Sequence, residues 1–170
     1  MSDSLTATYH TLDFNLLSPE KFEHFCFWLA DDCGEYKEVQ YYSGSGDKGR
    51  DVIGCTFDGD LDYFQCKRYA SLNYGILKEE LDRIANHVKK GKIKKPRRIY
   101  FVLSSSLSPD AKDKLRSYAG TVDLPEPDFW DPVVLDKKIK NNSQALKNFF
   151  NISDQTEEDY PQVDVDGLIA

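Results

Sequence analysis

An acid, an amide and an ammonium group follow one another over a short stretch of the chain. Asp51 begins an apolar run, and Gln65-Cys66-Lys67 begins fourteen residues later. Carboxylate and amide oxygens are ligands that the hard cation Mg²⁺ prefers, and the backbone carbonyl of Cys66 can add another oxygen. A lysine can orient an attacking water and offset the negative charge that develops on a phosphate. These residues therefore point to metal-assisted hydrolysis of a phosphodiester.

Glu23 is a candidate second carboxylate for the same site. It lies in SPEKFEHFCFWLADD, where Ser18 and the proline after it are typical of a helix start and apolar residues recur at helical spacing. We predict a helix from Ser18 to about Asp32, ended by Gly34. The alternative for Glu23 is an ordinary solvated acid on the exposed face of that helix.

A glycine-rich loop precedes Asp51, and its spacing fits two phosphate-binding motifs. Gly44, Gly46 and Gly49 match G-x-G-x-x-G, but that fingerprint needs a helix after the loop, and the run after Asp51 is strand-like. A P-loop would need Lys and Ser/Thr where Arg50 and Asp51 stand. We therefore expect no cofactor phosphate here, and a glycine-rich hairpin with solvated charges remains an alternative.

The elements that must position these residues can be predicted from the pattern of apolar residues and turn signals. Strands are predicted from Glu35 and on both sides of Asp58-Gly59, a strong hairpin signal. Period-two alternation places Gln65 and Lys67 on one face of the third strand, with Phe64 and Cys66 in the core. The later elements are a helix from about Asn73 closed by Gly91, a strand in RRIYFVLSS, a helix from Ser108 to Gly120, a strand at Asp128 to Trp130 and a final small helix from about Pro132. The predicted order is α-β-β-β-α-β-α-β-α in one α/β domain over residues 1–150.

Charge is unevenly distributed along this acidic chain. The net charge is −7, yet six acids without a basic residue fall in residues 148–170, so the body is nearly neutral. Seven cations occupy ten residues of that body and predict a surface that follows nucleic-acid phosphates: Lys89, Lys90, Lys92, Lys94, Lys95, Arg97 and Arg98. The alternative is an ordinary solvated helix end. We expect residues 151–170 to form an acidic linker or tail.

Several side chains around the glycine loop are further candidates for contact with DNA. Lys48 and Arg50 are cations beside Asp51, and Arg50 either lies near the phosphate that is cut or is only solvated. Tyr41, Tyr42 and Tyr69 could stack on bases, although such tyrosines are more often half-buried strand residues.

The cysteines and the apolar runs exclude other classes of protein. Four cysteines form no C-x-x-C pair and stand at no zinc spacing from the histidines, so we expect buried thiols at Cys26, Cys55 and Cys66. No run of about eighteen apolar residues and no signal-peptide pattern is present, which predicts a cytoplasmic protein without a membrane partner.

The segment from Gly44 to Tyr69, GSGDKGRDVIG followed by YFQCKRY, resembles the Mrr-like branch of the PD-(D/E)XK nucleases. The resemblance implies a restriction-endonuclease-like three-layer α/β/α core with a mixed central sheet. It implies Asp51 as the metal aspartate, Gln65 in place of the usual acid, Lys67 as the catalytic lysine and Glu23 as the helix glutamate. Two positions depart from the family pattern: Cys66 replaces an apolar or small residue, and Arg50 replaces an aliphatic one.

The same resemblance implies a function. It predicts a DNA endonuclease that uses Mg²⁺, with Mn²⁺ as a substitute, and cuts double-stranded DNA with low sequence specificity. Such domains are often the N-terminal effectors of bacterial anti-phage or restriction proteins, fused to a sensor or NTPase module, and two copies are needed for a double-strand break. The alternative is an inactive nucleic-acid-binding or interaction module that keeps the nuclease fold.

Overall fold

The structure, a computed structural model, describes residues 12–42 and 48–151. The predicted linker after Asn151 and the glycines Gly44 and Gly46 lie outside the described residues. The strands are β1 (Glu38–Tyr41), β2 (Val52–Cys55), β3 (Leu61–Lys67), β4 (Arg98–Leu103) and β5 (Asp128–Trp130). The helices are α1 (Pro19–Asp32), α2 (Tyr74–Lys89), α3 (Pro109–Thr121), α4 (Pro132–Lys140) and α5 (Ser143–Phe150), preceded by a 3-10 helix at Phe14–Leu16.

The five strands form one mixed sheet in the order β1-β2-β3-β4-β5. β1, β2 and β3 are antiparallel neighbours, whereas β3, β4 and β5 are parallel. The predicted hairpin joins β2 to β3: the amide of Gly59 donates to the carbonyl of Thr56, and Gly59 has a φ of +92° that suits glycine. Thus the antiparallel half of the sheet is built from local hairpins and carries Asp51, Gln65 and Lys67.

Helices cover both faces of the sheet, so the predicted three-layer α/β/α architecture is confirmed. On one face, residues of α1, α4 and α5 pack with Phe64 and Cys66 of β3. On the other face, residues of α2 and α3 pack with Tyr63 of β3 and Phe101 of β4. β3 is therefore buried on both sides, a position in which each polar side chain needs a partner. None of the helices in the described residues is long and apolar enough to span a membrane.

Polar caps begin the helices where the sequence predicts them. The hydroxyl of Ser18 accepts a hydrogen bond from the amide of Lys21 at 3.1 Å, and Ser108 does the same for Ala111 at 3.1 Å. Two elements were not predicted: the 3-10 helix at Phe14–Leu16 and a second helix at the end of the domain. The last helical segment is two helices, because the side chain of Asn142 accepts from the amide of Ala145 and begins α5. The prediction of a single final helix is therefore wrong.

An ion pair with a buried acid joins the beginning of β3 to the residue just before β4. Asp62 of β3 is fully buried and accepts two bonds from the Arg97 guanidinium, at 3.0 Å to Oδ1 and 2.6 Å to Oδ2. The hydroxyl of Tyr36 donates to the same Oδ2 at 2.6 Å. The hydrogen bond to Asp62 raises the pKa of Arg97. Burial, and to a smaller extent its own hydrogen bond to Asp62, raises the pKa of Tyr36. Arg97, predicted as a DNA-binding cation, is thus held in a structural pair.

We predict that Arg97→Ala lowers the free energy of unfolding by about 2–3 kcal/mol, because Asp62 would keep a buried charge without its main partner. Equilibrium unfolding in urea at neutral pH measures the loss. The matched control is Lys95→Ala, whose ion-pair partner Asp123 is 91% exposed, so the change should stay below about 0.5 kcal/mol. Equal losses in the two variants would contradict a structural role for the Asp62 pair.

Candidate active site

A polar pocket lies between α1 and α2, where the end of β3 meets the beginning of β2. Its volume is about 420 Å³. All four side chains predicted to be catalytic line it, and they come from three separate parts of the chain: Glu23, Asp51, Gln65 and Lys67. The wall is completed by Pro19, Phe22, Cys66, Arg68, Tyr69 and Arg83. The fold therefore brings the predicted catalytic set together.

Asp51 is fixed against β3 by both its backbone and its side chain. Its amide donates to the carbonyl of Phe64 at 2.8 Å, and its Oδ2 accepts from the amide of Cys66 at 2.8 Å. Val52 pairs with Phe64 in the antiparallel register, so the residue before Val52 lies beside Gln65. The carboxylate thus takes the place of a backbone partner for Cys66 and is held next to the amide of Gln65.

Gln65 contains a buried acceptor that the described residues leave unsatisfied. The side chain is only 4% exposed, and its Oε1 has no hydrogen-bonding partner among the residues that the structure describes. Such an orphaned acceptor costs about 1–3 kcal/mol in a protein interior. A buried amide oxygen beside a carboxylate at a pocket wall suits coordination of a hard cation, which would supply the missing partner.

The donor set in the pocket fits a divalent cation that prefers oxygen. Residues 12–42 and 48–151 contain no cluster of three or more His, Cys, Asp or Glu in a metal-binding arrangement. The pocket lacks such a cluster because only two of its described lining residues, Asp51 and Glu23, are carboxylates, and the third oxygen donor is the neutral side chain of Gln65. Two carboxylates with neutral oxygens are ligands typical of Mg²⁺ and Mn²⁺. The carbonyl of Cys66 as a further ligand stays a prediction.

Glu23 lies on the α1 wall of the pocket and is held by a tyrosine. The hydroxyl of Tyr41 donates to Glu23 Oε1 at 3.1 Å, and burial together with this bond raises the pKa of Tyr41. The Tyr41 ring also packs on the ring of His24, with 4.5 Å between centroids. Glu23 is half-buried, which disfavours the alternative of a fully solvated acid. Tyr41 is a half-buried residue of β1, as in the alternative to base stacking that we gave for the tyrosines.

Lys67 is paired with an acid that sequence reasoning did not identify. Its ammonium group bonds Oε2 of Glu80 on α2, and Oε1 of Glu80 accepts from Arg83 at 2.7 Å. Glu80 is 4% exposed. A signal existed in the sequence, because Glu80 occupies the same helical face as the buried Leu77 and Ile84. An acid inside an apolar stripe indicates a buried partner of opposite charge.

Cys66 contributes packing and its backbone amide to this site. Its side chain faces α1 within the core, and burial, with a hydrogen bond to Cys26, raises the pKa of the Cys66 thiol well above its ordinary value. The thiol is therefore protonated and unreactive at neutral pH. Cys26 and Cys66 are buried free thiols as predicted, whereas Cys55 is only half-buried.

The glycine loop leads into a strand and not into a helix, because β2 begins at Val52. This geometry excludes the dinucleotide-binding and P-loop interpretations. Gly49 has a φ of +86°, and a Cβ at this position would lie 2.9 Å from Cγ1 of Ile84 on α2. The last glycine of the loop therefore allows close contact with α2 just before Asp51.

Arg50 and the basic run of residues 89–98 do not line the pocket. Arg50 is 8% exposed, and its guanidinium carbon lies 5.2 Å from the ring centres of both Tyr42 and Tyr63. It is therefore neither solvated nor at the pocket wall, and cation–π contacts hold it in the core. In the β3–β4 register the backbone of Arg98 lies opposite that of Asp62, which precedes Lys67 by five residues on β3. Arg98 is therefore about 16 Å along the strand from the pocket.

The remaining candidates for DNA contact have mixed surroundings. Lys94 donates to the carbonyl of Gly59 at 2.8 Å, and Lys95 pairs with Asp123 at 3.1 Å. DNA binding stays a prediction for Lys48 and for the exposed cations of the run, which are Lys89, Lys90, Lys92, Lys94, Lys95 and Arg98. Tyr69 lines the pocket, is 43% exposed and lies 5.7 Å from the Lys67 ammonium, so its contact with DNA also stays a prediction.

Comparison with known proteins gives one family. The family model Mrr_cat, described as a restriction endonuclease, matches residues 14–126, which is more than half of the chain. The matched segment contains every residue that lines the pocket. No curated protein and no solved structure matches the chain. The family match agrees with the resemblance of GSGDKGRDVIG and YFQCKRY, and it extends that resemblance from the motif to the first four strands and the first three helices.

We predict that Glu80→Ala lowers the free energy of unfolding by about 3 kcal/mol, because Lys67 would remain as a buried cation without its partner. The double change Glu80→Leu with Lys67→Met should recover most of that stability, since both buried charges are removed. Urea unfolding of the wild type, Glu80→Ala and the double variant measures these differences in stability. The control is Asp113→Ala, because Asp113 pairs with Arg116 but is 78% exposed. A double variant less stable than Glu80→Ala would contradict the coupling.

Proposed function

The chain belongs to the Mrr-like restriction endonuclease family, and from this premise we propose that it is a Mg²⁺-dependent DNA endonuclease whose active site is the pocket between α1 and α2. The observation that carries the proposal is the buried Oε1 of Gln65, which has no partner among the described residues and lies beside Asp51 and Lys67. A purely structural site would satisfy that oxygen within the protein. In a nuclease of this family the same oxygen would serve as a ligand of the metal ion.

Each side chain has a role that its surroundings support. Asp51, Gln65 and Glu23 would hold the cation, which when bound stabilises the negative charge that develops on the phosphate. Lys67 donates hydrogen bonds from Nζ to the attacking water and to a phosphate oxygen, while Glu80 fixes the position of that ammonium group. The amide of Cys66 keeps the Asp51 carboxylate turned toward β3. The hydroxyl of Tyr41 on β1 donates to the Glu23 carboxylate and holds it in place.

The finer parts of the proposal rest on the family and on the chemistry of the pocket. We propose double-stranded DNA as the substrate, low sequence specificity, and a cytoplasmic role in anti-phage defence or restriction. Residues 1–150 would be the nuclease domain, and residues 151–170 would lead into a sensor or NTPase module. Double-strand cleavage would need two copies of the domain, because one pocket cuts one strand.

We predict that Asp51→Ala and Lys67→Ala each reduce Mg²⁺-dependent cleavage at least a hundredfold, because each removes a group that acts at the phosphate. Supercoiled plasmid, single-stranded DNA and RNA are incubated side by side, and nicked and linear products of the plasmid are counted separately. Asp58→Ala and Lys114→Ala are matched controls, since both side chains are exposed and outside the pocket.

The outcomes separate the proposal from its alternative. Cleavage by the wild type that survives in both pocket variants would show that the site is assigned wrongly. A wild-type protein that binds nucleic acid but cuts none of the three substrates with Mg²⁺ or Mn²⁺ would favour an inactive binding module. Nicking by dilute protein and linear product after forced dimerisation would support the two-copy requirement.

We predict that Gln65→Leu has opposite effects on stability and metal affinity. Without metal, the variant should be more stable by about 1 kcal/mol, because a buried acceptor without a partner is replaced by an apolar group. Its affinity for Mn²⁺, measured by calorimetry, should fall about tenfold or more through the loss of a ligand. Gln144→Leu on the exposed face of α5 is the control. A variant that is destabilised and binds Mn²⁺ normally would contradict the ligand role of Gln65.

A further inference from the structure

Two arginines line the pocket in addition to the predicted catalytic residues. Arg68 directly follows Lys67, and Arg83 lies one turn after Glu80 on α2. Neither belongs to the basic run of residues 89–98. A guanidinium is always charged and presents five donors in a planar fork, which matches the oxygens of a phosphate.

Arg68 has a donor that the described part of the chain does not satisfy. Its Nε is buried and has no hydrogen-bonding partner among the described residues. A buried donor on a permanent cation is costly to leave without an acceptor. Arg68 lines the pocket, and a phosphate oxygen is the acceptor that a nucleic acid would bring there.

Arg83 is held in place and still reaches solvent. Its NH1 donates to Glu80 Oε1 at 2.7 Å, which fixes the guanidinium, and 47% of its side chain is exposed. The bond to Glu80 uses one of five donors, so the exposed edge of the fork can bind an anion. Because Glu80 also holds Lys67, the positions of Arg83 and of the catalytic lysine are coupled through one buried carboxylate.

The charges of the pocket therefore separate into two groups. Glu23 and Asp51 are acids suited to hold a cation, and Lys67, Arg68 and Arg83 are cations suited to hold phosphate oxygens. A chain with a net charge of −7 repels nucleic acid on average, so local cations at the site must provide the attraction. Arg98 of the basic run lies opposite Asp62, about 16 Å along the strand from Lys67, which is too far for it to contact the same phosphate.

We propose that Arg68 and Arg83 form a phosphate-binding site on the rim of the pocket, which binds the backbone of the strand that is cut. This inference rests on the proposed function and names residues that recognise its substrate. Arg68 supplies Nε from the end of β3, Arg83 supplies the exposed edge of its fork from α2, and the phosphate lies between the two elements beside Lys67.

The test measures binding without cleavage. The full chain is titrated in EDTA against a short fluorescein-labelled DNA duplex, and anisotropy gives the dissociation constant over a series of KCl concentrations. Arg68→Ala and Arg83→Ala should each weaken binding about fivefold or more and lower the slope of log K against log [KCl] by about one. Lys114→Ala and Arg116→Ala on α3, both outside the pocket, are charge-matched controls and should leave affinity and slope nearly unchanged.

Conservative variants keep the test independent of folding. Arg83→Gln can still donate to Glu80 but lacks the charge, so its salt slope should fall by about one, as in Arg83→Ala, while it keeps the unfolding midpoint in urea. Arg68→Lys keeps the charge but loses the planar fork, so it should retain the slope and lose affinity. Inorganic phosphate as competitor should displace the duplex from wild type at lower concentration than from either alanine variant if the site recognises phosphate itself.

The possible outcomes separate the inference from the proposed function. Alanine variants that bind the duplex with wild-type affinity and slope would overturn the inference even if the wild type cuts DNA. A wild type that does not bind the duplex in EDTA would also overturn it. A wild type that binds through Arg68 and Arg83 but cuts no substrate with any metal would support the inference and remove the endonuclease assignment.

Discussion

The hydrogen bond from the amide of Cys66 to Oδ2 of Asp51 determines how the candidate active-site pocket is assembled. β2 begins at Val52, and the amide of the preceding residue, Asp51, still donates to the carbonyl of Phe64 on β3. At that point the carboxylate takes over as the acceptor for β3. The acid is thereby held at the level of Gln65 and Lys67, and its position depends on backbone geometry more than on a flexible side chain. The pocket would lose its arrangement if the two strands slipped by one residue, because alternation would turn Gln65 and Lys67 to the opposite face.

A strand buried on both faces makes the polar residues of β3 informative. Asp62 is paired with Arg97, and Lys67 is paired with Glu80, so each buried charge has a partner of opposite sign. Gln65 differs, because its Oε1 lacks a partner within the described part of the chain. The contrast on one strand separates groups that stabilise the fold from a group with no partner among the described residues, the group that we propose as a metal ligand. It also separates the two ends of β3, since the structural pair lies at its beginning and the pocket at its end.

Local signals in the sequence predicted much of the fold. Serine caps at Ser18 and Ser108 and the Asp58-Gly59 turn fix element boundaries through contacts over a few residues, so they can be read without the structure. Alternation along β3 placed Phe64 and Cys66 in the core for the same reason. The start of α5 was missed because Asn142 caps it within a run of polar residues that contains no Gly or Pro. Its cap was present in the sequence but resembled an ordinary loop.

The pairing of the cations could not be predicted in this way, because it depends on contacts between distant segments. Arg97 belongs to a dense basic run, yet its partner Asp62 lies thirty-five residues earlier and meets it only through the parallel β3–β4 pairing. Arg83 looks like an ordinary helix-surface residue until the fold places α2 against the end of β3. The density of charge along the chain thus identified a basic surface at one end of the strands, while the cations nearest the predicted catalytic residues are dispersed in sequence. A net negative nuclease can still attract a phosphate in this way, because the field at a pocket is set by the charges that line it and much less by the total charge of the chain.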